Sequence, residues 1–185
     1  MKSILLIVSA LLILMSCSTS PKCSEVWMTK NLDVSTYRNG DTIPQVTDDK
    51  QWASLSTGAW CYYNNDSARG KIYGKLYNFY AVRDPRGLAP TGYHMPSDAE
   101  WTSLETSLET FLGLSHPGDA LKEAGTKNWH SPNSGATNSS GFSGLPGGSR
   151  TYLGNFEDIG TSGKWWRTNK DDTSFSSMQL SLLWC

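Results

Sequence analysis

The residues that could do covalent or acid–base chemistry are four cysteines, three histidines and a set of carboxylates in a chain of 185 residues. A thiol nucleophile needs a base within hydrogen-bond reach. Cys61 lies in an aromatic run that reads as a strand, and none of His94, His116 and His130 sits in a recognisable partner motif; His94 reads as a structural residue ahead of Pro96. Glycoside hydrolysis needs two opposed carboxyl groups at a set separation. Glu100, Glu105 and Glu109 instead follow one another along one helical run, and Glu100 is already used by a cap. The expectation is a protein with no catalytic residues.

Non-covalent recognition is the better-supplied chemistry. Eight Trp and eight Tyr against five Phe favour rings that keep a polar edge near water. In the last third, Tyr152, Phe156, Trp165, Trp166, Arg167, Asn169, Asp171 and Asp172 combine flat rings with hydrogen-bonding groups, which suits a sugar face or a protein hot spot. Adjacent Trp165 and Trp166 alternate if they lie on a strand, so one is expected in and one out.

The elements that must position these residues are legible in part. Residues 26–28 read as a short strand, residues 38–41 as a turn, and residues 47–55 as a short helix with acidic residues in its first turn. Residues 59–63 are aromatic and extended, and Asn64-Asn65-Asp66 turns the chain. Leu76, Tyr77, Tyr80 and Ala81 share one face if residues 73–82 are helical. Ser97-Asp98-Ala99-Glu100 after Pro96 is a capping box and must start a helix; Trp101, Leu104, Leu108 and Phe111 give its apolar stripe and Gly113 its stop. A second helical piece covers residues 119–124. The Ser, Gly and Asn of residues 128–148 predict long ordered loops, and residues 150–153, 164–168 and 177–184 read as final strands.

Sixteen Lys and Arg against seventeen Asp and Glu give a formal charge of −1, which argues against a nucleic-acid partner. The length suits one domain. Lys2 followed by an apolar run over residues 4–15, too short to span a bilayer, reads as a secretion signal. Leu14-Met15-Ser16-Cys17 resembles the lipobox of bacterial lipoproteins, which implies cleavage before Cys17 and lipidation of that cysteine. Ser18 in the next position implies the outer membrane by the same resemblance, so the membrane is a partner through the anchor. The chain then divides into a signal at 1–16, a lipidated cysteine and tether at 17–24, and one domain at 25–185. With Cys17 lipidated, Cys23, Cys61 and Cys185 remain, an odd number. A pair between Cys61 and Cys185 would close the domain and is favoured, although pairing does not follow from sequence.

Several blocks occur in the order of a known family: Trp27-Met28-Thr29-Lys30-Asn31-Leu32, Tyr73-Gly74-Lys75-Leu76-Tyr77-Asn78, Leu88-Ala89-Pro90-Thr91-Gly92-Tyr93-His94-Met95-Pro96-Ser97-Asp98-Ala99-Glu100-Trp101, Gly141-Phe142-Ser143 with Pro146-Gly147-Gly148, and Trp165-Trp166. They resemble the Fibrobacter succinogenes major paralogous domain. The Pro96-to-Trp101 block is also similar to a segment of the formylglycine-generating enzymes, and that relation implies an α+β, C-type-lectin-like fold. Two helices, at residues 73–82 and 97–112, would flank small twisted antiparallel sheets with long loops. The copper-binding cysteine pair of the formylglycine enzymes has no match here. Sugar-binding C-type lectins hold calcium with a Glu/Gln-Pro-Asn/Asp loop; Ser131-Pro132-Asn133, with Asn169 and Asp171, lacks the first carboxylate, so calcium is disfavoured and no cofactor is expected. The resulting expectation is a lipid-anchored envelope protein that binds a glycan or protein ligand without chemistry. A structural subunit of a surface assembly is the alternative, and a formylglycine-enzyme-like catalyst a more distant one.

Overall fold

The computed structural model describes residues 26–168 and 175–181. The chain is α+β, with five short-to-medium helices, a two-stranded sheet and a four-stranded sheet among the described residues. No helix among these residues is long and apolar enough to cross a membrane.

Helix α1 (Asp49–Ala53) starts where Asp48 accepts from the Gln51 amide, and it buries Trp52. Strand β1 (Trp60–Cys61) pairs antiparallel with β2 (Leu76–Tyr77). Between them Asn64 and Asn65 take positive φ, the turn expected of consecutive asparagines, and Asp66 caps α2 (Ser67–Tyr73). The expected helix over residues 73–82 is not one helix. Gly74 at φ +74 ends α2, residues 76–77 form β2, and Asn78 caps the separate α3 (Phe79–Arg83) by accepting from Ala81. The break is tertiary in origin: a Cβ at position 74 would crowd the Leu32 carbonyl, which accepts from the Lys75 amide at 3.1 Å. Residues 26–28 are likewise not a strand.

Helix α4 (Asp98–Leu112) is as its sequence dictates. Both halves of the capping box form, and Gly113 ends the helix in the left-handed region. Trp101 and Leu108 are its buried residues. After α5 (Pro117–Leu121) no further helix or strand occurs before β3 (Gly147–Arg150), in agreement with the loops expected there. β4 (Phe156–Ile159), β5 (Ser162–Thr168) and β6 (Phe175–Ser181) complete the larger sheet in the order β4-β3-β5-β6. Its β3–β5 pairing is parallel, a departure from the all-antiparallel sheets expected. Residues 150–153, expected as a strand, mostly form the turn after β3.

Three apolar clusters support these elements. The first gathers Tyr37, Ile43, Trp60, Tyr77, Ala81, Val82 and Leu88; the second Trp101, Leu108, Ala120, Leu121, Trp129, Met178 and Leu180; the third Val46, Trp52, Ala59 and Cys61. The tryptophans also pin loops through their indole N–H groups. Trp52 donates to Thr151 O, Trp60 to Ile43 O and Trp129 to Gly144 O at 3.1, 2.9 and 3.0 Å. Each such bond contributes about 0.5–1.5 kcal/mol and leaves the loop carbonyl satisfied. Much of the aromatic excess is therefore architectural.

Candidate functional site

A groove of about 640 Å³ opens among the described residues. That size lies within the range of ligand sites. It opens between the first two clusters, over the middle of β5. One wall is residues 26–32, a second runs along residues 88–96, and Tyr73, Tyr77, Phe142 and the paired tryptophans of β5 are among the other lining residues.

Trp165 and Trp166 do not divide into one buried and one exposed residue. Both are half-buried and both line the groove, because each leans on a different cluster: Trp166 on the first, Trp165 on the second. Strand alternation sends them to opposite faces, but both faces are covered. Their indole donors are engaged, Trp165 with Asn31 Oδ1 at 3.0 Å and Trp166 with Tyr77 O at 3.1 Å. Trp27, Trp101, Phe142 and Trp165 form a continuous aromatic wall; the Trp27 and Trp101 centroids are 4.6 Å apart. Val26, Met28 and Tyr93 are exposed at its rim.

Most polar groups in the groove are already occupied. Asn31 donates to Tyr73 O while accepting from Trp165. Lys75 pairs with Asp33 and lies 4.6 Å over the Trp60 ring. Lys164 contacts Asp158 and Ser149, each at 3.1 Å. Burial pushes the Glu100 carboxyl up, but the Ser97 amide and hydroxyl at 2.7 and 2.8 Å and His94 Nε2 at 2.6 Å outweigh it and hold the carboxyl below its ordinary value. His94 thus fastens one groove wall to the first turn of α4, a partner that sequence reading did not identify. His94, Glu100 and Ser97 do not form a nucleophile–base–orienter chain, since both the imidazole and the hydroxyl contact the carboxylate.

The other residues considered for the ligand face lie elsewhere. Tyr152 is 81% exposed on the β3–β4 turn, beside Trp52 and α1, and does not line the groove. Arg167 Nε meets Asp98 Oδ1 at 3.0 Å and ties β5 to the start of α4 rather than facing the groove. Asn169 and Asp171 lie outside the described residues, as do Cys17 and Cys185. Among the described residues Cys61 is a free, fully buried thiol, raised by burial to about 11. The Asn133 amide of the loop considered for calcium donates to Glu123 O and Gly125 O at 2.8 and 2.9 Å, so it holds the loop's own backbone. No group of three or more His, Cys, Asp or Glu that could hold a metal ion occurs among the described residues. His116 precedes α5 and His130 packs beside Gly160, each apart from His94.

Residues 26–32 and 88–96 were not singled out by residue chemistry as part of a ligand face, yet both carry motif blocks. In comparison with known proteins, the family model described as the Fibrobacter succinogenes major domain matches residues 23–183. No curated protein and no solved structure matches the chain.

Proposed function

The chain belongs to the Fibrobacter succinogenes major domain family, and on that footing we propose that it is a lipid-anchored protein of the bacterial outer membrane whose domain binds a glycan or protein ligand without chemistry. In this reading Cys17 carries the lipid, residues 18–24 form the tether, and the domain is a C-type-lectin-like variant. The groove over Trp165 and Trp166 is the ligand site. The observation that carries the proposal is the groove itself: a large apolar concavity, lined by aromatic rings, whose side-chain polar groups are mostly committed to holding the walls in place. Such an arrangement suits shape-based capture. Its carboxylate, Glu100, is held by the Ser97 and His94 side chains.

Two measurements test the proposal. Palmitate labelling in the native host should be lost on changing Cys17 to Ser; labelling that persists would remove the anchor from the account. The purified chain should show saturable binding to some member of a panel of plant and host glycans and envelope proteins, unaffected by chelation of calcium. Silence across the whole panel from well-folded protein would favour a purely structural role.

A further inference from the structure

Three of the motif blocks meet at one side chain. Asn31 accepts from Trp165 Nε1 at 3.0 Å and donates to Tyr73 O at 2.9 Å, and all three residues line the groove. The two partners fix which way the amide points, because an indole N–H only donates and a carbonyl only accepts. The Asn31 side chain is closely seated: a Cβ at Gly74 would come within 3.1 Å of its Cβ. The attachment of this wall does not hang on Asn31 alone, since Leu32 O accepts from the Lys75 amide at 3.1 Å and Asp33 pairs with the Lys75 side chain. The orientation of Trp165 does. Its six-membered ring lies close over backbone that carries no side chain: a Cβ at Gly163 would strike its Cη2, and one at Gly144 would stand 3.3 Å from it. Its five-membered ring carries the one polar atom, and Asn31 holds that atom. The half-buried indole is thus fixed at both ends, by a glycine floor and by an amide.

Resting on the reading that this groove is the ligand site, we propose that Asn31 is its positioning residue: it holds the Trp165 ring in the orientation that a ligand meets, and affinity depends on the bond to Trp165 rather than on the bond to Tyr73. A ring held in place before binding loses no freedom when a ligand packs on it.

The test separates the two bonds. Asn31→Leu loses both, whereas Asn31→Asp keeps an oxygen for the indole and loses only the donor to Tyr73 O. The probe is the neutral apolar dye N-phenyl-1-naphthylamine, and the full chain carries Cys17→Ser to keep lipid and detergent out of the assay. Asn31→Leu should weaken dye binding about tenfold, and Asn31→Asp should stay within about threefold of the parent. The Trp165 indole N–H, assigned by NMR from its absence in Trp165→Phe, should exchange about tenfold or more faster in Asn31→Leu and remain slow in Asn31→Asp. Should Asn31→Leu not fold, Trp165→Phe takes its place: it removes the indole donor, leaves the Tyr73 bond intact and should weaken the dye as much. Equal losses in the Leu and Asp variants would mean a merely structural role and overturn the proposal, as would indole exchange unchanged in Asn31→Leu. Dye binding lost in Tyr93→Ala but kept in Asn31→Leu, or in Trp165→Phe where that variant stands in, sinks the Asn31 proposal and leaves the groove reading standing. A dye that ignores Tyr93→Ala, or does not bind the parent, defeats both.

Discussion

Removing the Arg150 guanidinium should destabilise the domain far more than removing the carboxylate it pairs with. The Arg150 side chain is fully buried, 4.5 Å over the Trp52 ring and 4.7 Å over the Phe156 ring. It donates to Gly154 O, Val46 O and Thr47 O at 2.9, 2.8 and 3.2 Å, and to Asp49 Oδ1 at 2.6 Å. Asp49 is 65% exposed, so the ion pair itself is worth under about 1 kcal/mol. The carbonyls are a different matter: Val46 O and Gly154 O each lose a charged donor, while Thr47 O keeps the Asn65 amide at 3.0 Å. Arg150→Ala should therefore cost about 3–5 kcal/mol, the scale of breaking a buried charged network. At about 2–4 °C per kcal/mol for a domain of this size, that lowers Tm by about 6–20 °C. Arg150→Lys keeps the charge but loses the planar fork and should cost about 1–3 kcal/mol. Asp49→Asn should cost less than about 1 kcal/mol. Urea unfolding followed by tryptophan fluorescence reads all three, with the m-value checked for constancy. The reasoning is refuted if Asp49→Asn costs as much as Arg150→Ala, or if Arg150→Lys matches the parent.

Glu100 is depressed in the folded state, so the stability it contributes is complete above its ordinary value of 4.5 and fades as pH falls through the lower folded value. Acid unfolding of Glu100→Gln should show a shallower pH dependence in that range, and an unchanged profile would show that the carboxyl is not depressed. Cys61, raised by burial to about 11, should resist iodoacetamide at pH 8 in the reduced native protein and react on unfolding, with the site mapped by mass spectrometry. Rapid native alkylation at that residue would contradict its burial. Gly148 sits at φ +65 where a Cβ would strike Glu157 O, so Gly148→Ala should destabilise by several kcal/mol, on the order of 3 or more, by splitting β3 from β4. A thermal scan that barely moves would show that the strand pair can shift to accept it.

The parts of the fold that sequence reveals are those whose signals are local. The capping box at Ser97 and Glu100 defines α4 because both partners lie within one turn. The segment at residues 73–82 is misleading because Leu76, Tyr77, Tyr80 and Ala81 have helical spacing, while what decides it is distant: Leu32 crowding Gly74, and Ala59 donating to the Asn78 side chain. β4 was missed since its Glu157 and Asp158 face solvent at a sheet edge, where apolar alternation is not required. In the site, Trp165 and Trp166 are identifiable from residue type alone. Their companions Trp27, Lys30, Asn31 and Tyr93 are not, since the groove is assembled from segments that meet only in the tertiary structure; Asn31 and Trp165 bond across 134 positions of sequence. Tyr152 has the right chemistry and is exposed, but a turn carries it to another part of the molecule.

The central claim is that ligand binds in the groove and not at the exposed tip of the β3–β4 turn. It is tested most directly by measuring affinity for whichever glycan or protein the binding panels return, in two single variants of exposed residues: Tyr93→Ala at the groove rim and Tyr152→Ala on the turn. Both should fold like the parent. The account predicts that Tyr93→Ala weakens binding by about tenfold or more, the scale of losing an aromatic contact, while Tyr152→Ala binds as the parent does. Loss of binding in Tyr152→Ala with Tyr93→Ala unaffected would place recognition on the turn and contradict the account.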